Sequence, residues 1–72
     1  MEGTTRYEIR VKGRLSATTL EAFSGLSSEL RPVETVLVGR LRDQSELHGI
    51  LSNLQDLGIE LIEVRQIPDA RS

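Results

Sequence analysis

Residues 43–67, DQSELHGILSNLQDLGIELIEVRQI, decide the fold, because they read as one helix running directly into one strand. Asp43 stands three residues before Glu46, the spacing of a capping box, and Gly58 follows the last leucine as a helix stop. Between them Leu47, Ile50, Leu51, Leu54 and Leu57 fall on one face at helical spacing. From Ile59 the period changes, and IELIEVRQI reads as a strand with no linker before it.

Upstream, Tyr7, Ile9, Val11, Gly13 and Leu15 alternate with Glu8, Arg10, Lys12 and Arg14, the clearest strand of the chain. One of its faces must be buried while the other carries a row of charge. Ser16 offers a helix N-cap, with Leu20 and Phe23 spaced as the buried side of a short helix before Gly25. A helix continuing to Leu30 also fits the stripe Leu20, Phe23, Leu26, Leu30. It would place Gly25 in its interior at a cost of about 1 kcal/mol, so the short helix is preferred. Residues 26–31 then form a strand and Pro32, Val33 and Glu34 a turn. The run from Thr35 to Leu41 returns as a strand rich in β-branched residues.

The expected order is strand, helix, strand, strand, helix, strand. This is a single α+β ferredoxin-like βαββαβ sandwich, with two helices on one face of a four-stranded antiparallel sheet. The chain is expected to form one domain over residues 1–72, ordered across about residues 6–67 and frayed at both ends.

Composition narrows the function classes. Seventy-two residues allow one small core, burying roughly 60% of the unfolded surface. Such a core supplies only about 3–5 kcal/mol, so self-association is a reasonable source of further stability. The chain has no cysteine, which excludes a disulfide framework and a thiolate metal site. The start, MEGTTRYEIR, has no apolar leader, and no apolar run reaches membrane-spanning length; a soluble cytoplasmic protein is expected. A net charge of −2 with interspersed signs does not match a nucleic-acid binder.

The blocks YEIRVKGRL, FSGL, ETVLVG, DQSELHGIL and LQDLGIELIEVR resemble a group of small, largely uncharacterised proteins common in actinobacteria. Their usual form has a YEIRVRG start, a DQAALHGLL helix and an RDLGL run into the last strand. The resemblance spans roughly Tyr7 to Arg65, and Asp43-Gln44 with Leu47-His48-Gly49 is its most specific part. Where such proteins usually carry an Asp-Gly hairpin turn, this chain has Arg31-Pro32-Val33-Glu34. The resemblance implies four strands, with the first central and the last beside it. It lends no activity, substrate or cofactor.

No constellation points to an enzyme. His48, Ser52 and Asp56 fall one turn apart on the second helix, away from its apolar stripe, where a solvated surface outweighs a catalytic triad. Glu60 and Glu63 are three apart on a strand and point to opposite faces, so they do not form a catalytic pair. One histidine without cysteine makes no transition-metal site, and no phosphate-binding or dinucleotide-binding glycine pattern is present. No cofactor, metal or catalytic residue is expected.

The charged strand face is the remaining candidate. It sets Arg10, Lys12, Arg14 and Arg65 beside Glu63 and aliphatics such as Leu61, with the register of the second strand and the buried faces of the third and last strands left open. Gly49, inside the best helix beside His48, offers a second place for close approach of another backbone. The leading expectation is a non-catalytic interaction module, homodimeric through the open sheet face or a strand edge. A regulatory or ligand-sensing domain is the first alternative. Nucleic-acid binding is the second, weakened because only Tyr7 and Phe23 are aromatic.

Overall fold

The computed structural model describes residues 4–68; of the ends expected to fray, residues 1–3 and 69–72 lie outside the described residues. The fold is α+β. In chain order it comprises β1 (Thr5–Lys12), α1 (Ala17–Glu21), β2 (Ser27–Leu30), β3 (Glu34–Leu41), α2 (Gln44–Asp56) and β4 (Leu61–Ile67). The strands form one antiparallel sheet in the order β2-β3-β1-β4, so β1 and β3 are central and β2 and β4 are the edges.

Alternation along β1 sends Tyr7, Ile9 and Val11 to one face, where they are buried with Leu37 and Leu41 of β3. Both helices cover that face: Phe23, just after α1, and Leu47 and Leu54 of α2 belong to the same cluster, with Leu15, Leu20, Ile50 and Leu51 packed against it. The second face of the sheet is open. Val36 and Val38 of β3 lie there beside the charged residues of β1, which settles the register of that strand.

The α2 helix is held at both ends by the devices its sequence announces. Asp43 accepts the N–H of Glu46 at 2.9 Å. The reciprocal bond reaches one residue further out than in a capping box, because Glu46 Oε1 accepts the N–H of Arg42 at 2.7 Å. At the other end Gly58 adopts φ +75°. Ile59 donates to Leu54 O at 3.0 Å and Gly58 to Gln55 O at 2.9 Å, a Schellman motif that turns the chain directly into β4. Gln44 Nε2 donates to the hydroxyl of the buried Tyr7 at 3.2 Å, tying the start of α2 to the sheet. The short α1 helix is capped by Ser16, whose hydroxyl accepts the N–H of Thr19 at 3.1 Å.

Three expectations require correction. The first strand does not run on through Gly13 and Leu15: β1 ends at Lys12, and Gly13 takes φ +86° to start the turn into α1. That turn is clasped by Thr35, fully buried at 0% exposure, whose hydroxyl donates to Gly13 O at 2.8 Å and accepts from Leu15 N–H at 3.1 Å. The second strand is shorter than residues 26–31, because Leu26 is used in the turn after α1 and packs over Gly39. A Cβ at Gly39 would run into Leu26 Cδ2, which explains a glycine inside a central strand. Finally, β4 does not alternate evenly. Glu63 opposes Arg10 but Leu61 opposes Val11, so Ile62 is an inserted bulge residue. The bulge puts Leu61 and Val64 on the helix side together, where simple alternation separates them, and it brings Glu60 and Glu63, expected on opposite faces, to Lys12 and Arg10 on the same face.

The β2–β3 hairpin dispenses with glycine. Pro32 and Val33 form a two-residue connection closed by Arg31 N–H donating to Glu34 O at 2.8 Å, with no positive φ at either.

Candidate functional site

The open face places Arg10 at its centre. Its guanidinium donates from Nη2 to Glu34 at 3.0 Å and from Nη1 to Glu63 at 2.7 Å, joining β3, β1 and β4 across the sheet. Arg31 donates to Glu34 and to Glu29, each at 3.3 Å, so the network runs from Glu63 through Arg10, Glu34 and Arg31 to Glu29. Glu34 is the buried link in it. The hydrogen bond from Arg10 holds the Glu34 carboxyl below its ordinary range, against the opposing effect of burial. The same bond raises the Arg10 pKa. The Nε of Arg10 is buried without a protein acceptor, so the side chain is anchored through its two terminal nitrogens.

Two further strand cations are also matched. Arg65 lies 3.7 Å from Glu8 and Lys12 lies 3.9 Å from Glu60. These outer pairs are exposed and contribute little individually. Their consequence is a sheet face on which Arg10, Lys12 and Arg65 each face a carboxylate of the same chain. Charge alternation along a single strand suggested this face; the cross-strand partners depend on register, which the sequence left open.

The residues singled out from the sequence are thus dispersed. Arg10, Lys12, Glu63 and Arg65 share the open face. Arg14 has left the sheet, in the turn after Gly13. Leu61 turns to the helix side and lines a groove with Leu51, Leu54, Gln55 and Ile59. His48 and Gly49 are exposed on α2, as are Ser52 and Asp56, and a Cβ added at Gly49 would meet open space.

Sequence reading did not isolate the β4 edge. Lys12 donates its N–H to Glu60 O at 2.9 Å, towards β4, whereas Gly13 donates to Val33 O at 2.8 Å, towards β3. Alternation along β1 therefore turns the bonding groups of Arg10, Glu8 and Arg6 to β4, where they meet Glu63, Arg65 and Ile67. Val64 and Gln66, between those three, turn their own N–H and C=O groups off the edge. Beside them Leu61 and Ile62 are 44% and 45% exposed, and Leu57 at the end of α2 is 54% exposed. The signal that would have located this edge is the run of apolar residues in both registers of LIEVRQI.

A second concavity, of about 210 Å³, opens between the turn after α1 and α2, with Phe23, Leu26, Arg40, Glu46 and Ile50 among its lining. Among the described residues no group of three or more His, Asp or Glu side chains is gathered as for a metal ion. No helix among them is long and apolar enough to cross a membrane.

These features define a small α+β sandwich with a charge-compensated open sheet face and one apolar sheet edge. The chain belongs to the family described as Domain of unknown function (DUF8691), which matches residues 6–65. No curated protein and no solved structure matches it.

Proposed function

We propose that this protein is a non-catalytic interaction module that self-associates through its β4 edge. The observation that carries the reading is the contrast within β4. Its outward backbone groups at Val64 and Gln66 have no strand beyond them, and apolar side chains flank them, while Arg10, Lys12 and Arg65 on the open face are held by carboxylates of their own chain. A seven-residue edge of this kind is a template for a further strand. The order of elements, with β1 and β3 central, supports a ferredoxin-like classification, since the sheet read from its other edge is β4-β1-β3-β2. We place the protein in the cytoplasm of an actinobacterium on the strength of the sequence resemblance. The test is solution mass across a hundredfold range of concentration, at low and high salt. A dimer is expected, and a monomer throughout would overturn the reading.

A second reading, a ligand-sensing domain, is favoured by the concavity beside Phe23, where Arg40 and Glu46 stand against an apolar floor. It predicts thermal stabilisation by a small metabolite that scales with ligand concentration. A broad metabolite panel without any shift would contradict it. Nucleic-acid binding has less support, because Arg10, Lys12 and Arg65 already face carboxylates.

A further inference from the structure

The direction and charge of β4 define how two copies fit. We infer that two chains pair through β4, antiparallel about a two-fold axis at Val64, so that their four-stranded sheets continue into one. This inference rests on the self-association reading above and specifies its register.

Three constraints select that register. The first is bonding phase: only Val64, Gln66 and the bulge residue Ile62 are placed to offer groups to a new strand, so these must meet their like in the partner. The second is layering. An axis perpendicular to the sheet keeps the helices of both copies on one side, so opposed residues must share a face. The antiparallel registers that satisfy both are centred on Glu63, Val64 or Arg65 within the straight part of the strand.

The third constraint is charge. A register centred on Glu63 sets that carboxylate against the partner's Glu63, and one centred on Arg65 sets two guanidinium groups together. Like charges directly opposed across a sheet are destabilising. Centring on Val64 instead sets Glu63 against the partner's Arg65, twice, once on each side of the axis. Glu63 and Arg65 retain 40% and 59% side-chain exposure beside their own-chain partners, so each has capacity for a further contact.

The charges then extend the rows already present. Within one chain Arg65 neighbours Glu8 and Glu63 neighbours Arg10. Across the joined edge the row reads Glu8, Arg65, the partner's Glu63, the partner's Arg10, with the sign alternating at every step. On the helix side Ile62 comes opposite the partner's Gln66, covering part of the exposed aliphatic surface. The bulge ends the new ladder at Ile62, so the paired segment is residues 62–66. The seam is short, and the dimer is therefore one whose dissociation depends on concentration and salt.

The decisive experiment is a charge exchange between chains. Glu63→Lys alone puts lysine opposite the partner's Arg65, and Arg65→Glu alone puts two carboxylates together. Each variant by itself is expected to self-associate about tenfold more weakly than the natural chain. An equimolar mixture is expected to recover the natural affinity as a heterodimer, because both seam pairs are again of opposite sign. A second pair of variants leaves the outcome independent of these charges. Since the chain has no cysteine, Glu63→Cys mixed with Arg65→Cys should form an interchain disulfide under mild oxidation, and neither should do so alone. A natural chain that dimerises while the charge variants are unaffected and the mixed disulfide fails would overturn this register and leave self-association standing. A natural chain that stays monomeric would overturn both.

Discussion

The two edges of the sheet are built differently. β2 contributes four residues, SSEL, of which only the last is apolar, and leads into Arg31-Pro32. Its end is tied down by Glu29, Arg31 and Glu34, whose ion pairs fold over the corner of the sheet. These are the features by which natural sheets discourage further pairing: a short strand, charge and a nearby proline. β4 contributes seven residues with aliphatics on both faces and carries its charges as a self-complementary pair. One edge closes the sheet and the other is suited to extend it. Whether an exposed strand invites a partner depends on its neighbours across the ladder as much as on its own hydrophobicity.

The largest expected effect tests what supports β4 from beneath. Leu54 is 2% exposed and joins α2 to the core next to Ile59 and Leu61. Leu54→Ala should cost about 2–5 kcal/mol in urea unfolding. It should also weaken self-association, because it loosens the strand that forms the seam. Unchanged association in a chain destabilised by that much would separate β4 from the helix behind it.

Next comes a matched pair of substitutions at the two edges. Gln66→Pro deletes an outward N–H of β4, and Ser28→Pro deletes one of β2, without removing a bond of the existing sheet. Gln66→Pro should weaken the dimer by about 2 kcal/mol, two lost bonds by symmetry, as read by sedimentation equilibrium. Ser28→Pro should leave the dissociation constant unchanged. Equal effects at both positions would erase the distinction between the edges.

The turn between β1 and α1, away from both edges, should instead respond through stability alone. Thr35→Val keeps the shape of the side chain but strips Gly13 C=O and Leu15 N–H of their buried partner. A loss of about 1–3 kcal/mol is expected, with no change in association of the folded chain. Gly49→Ala should act in the opposite direction. The position is open and helical, so the substitution should raise the thermal midpoint through a gain of about 1 kcal/mol and leave the dimer intact. A weakened dimer would move the interface to the outer face of α2.

The smallest effect is a pH dependence. Folding lowers the Glu34 pKa from its ordinary value near 4.5. The stabilisation it brings is therefore present above that value and lost as pH falls through the lowered one. The natural chain should lose stability on acidification more steeply than Glu34→Gln, measured as urea midpoints between about pH 6 and about pH 3. Parallel curves would show that the Arg10–Glu34–Arg31 network does not couple to folding.

Much of this architecture is legible in the sequence because it is local. Asp43, Glu46 and Gly58 bracket α2 by chemistry that acts within a few residues, and the alternation of Tyr7, Ile9 and Val11 fixes the buried face of β1. What was not legible depends on contacts distant in the chain. The left-handed turn at Gly13 is held by Thr35, twenty-two residues away. The bulge at Ile62 arises from matching β4 to β1, and no residue of LIEVRQI marks it. The charged face was legible, but which carboxylate each of its cations meets depends on other strands: Arg10 meets Glu34 of β3 as well as Glu63, fifty-three residues later. Sequence periodicity identified a charged surface, and register determined that Arg10, Lys12 and Arg65 on it are matched within the chain.

The most direct measurement is amide hydrogen exchange on the natural chain, residue by residue, at low and high protein concentration. The outward amides of Val64 and Gln66 should exchange freely when dilute and become protected as concentration rises, while those of Ser28 and Leu30 on β2 exchange freely at both. Rapid exchange at Val64 and Gln66 at every concentration, or protection arising at β2 instead, would contradict the assignment of β4 as the associating edge.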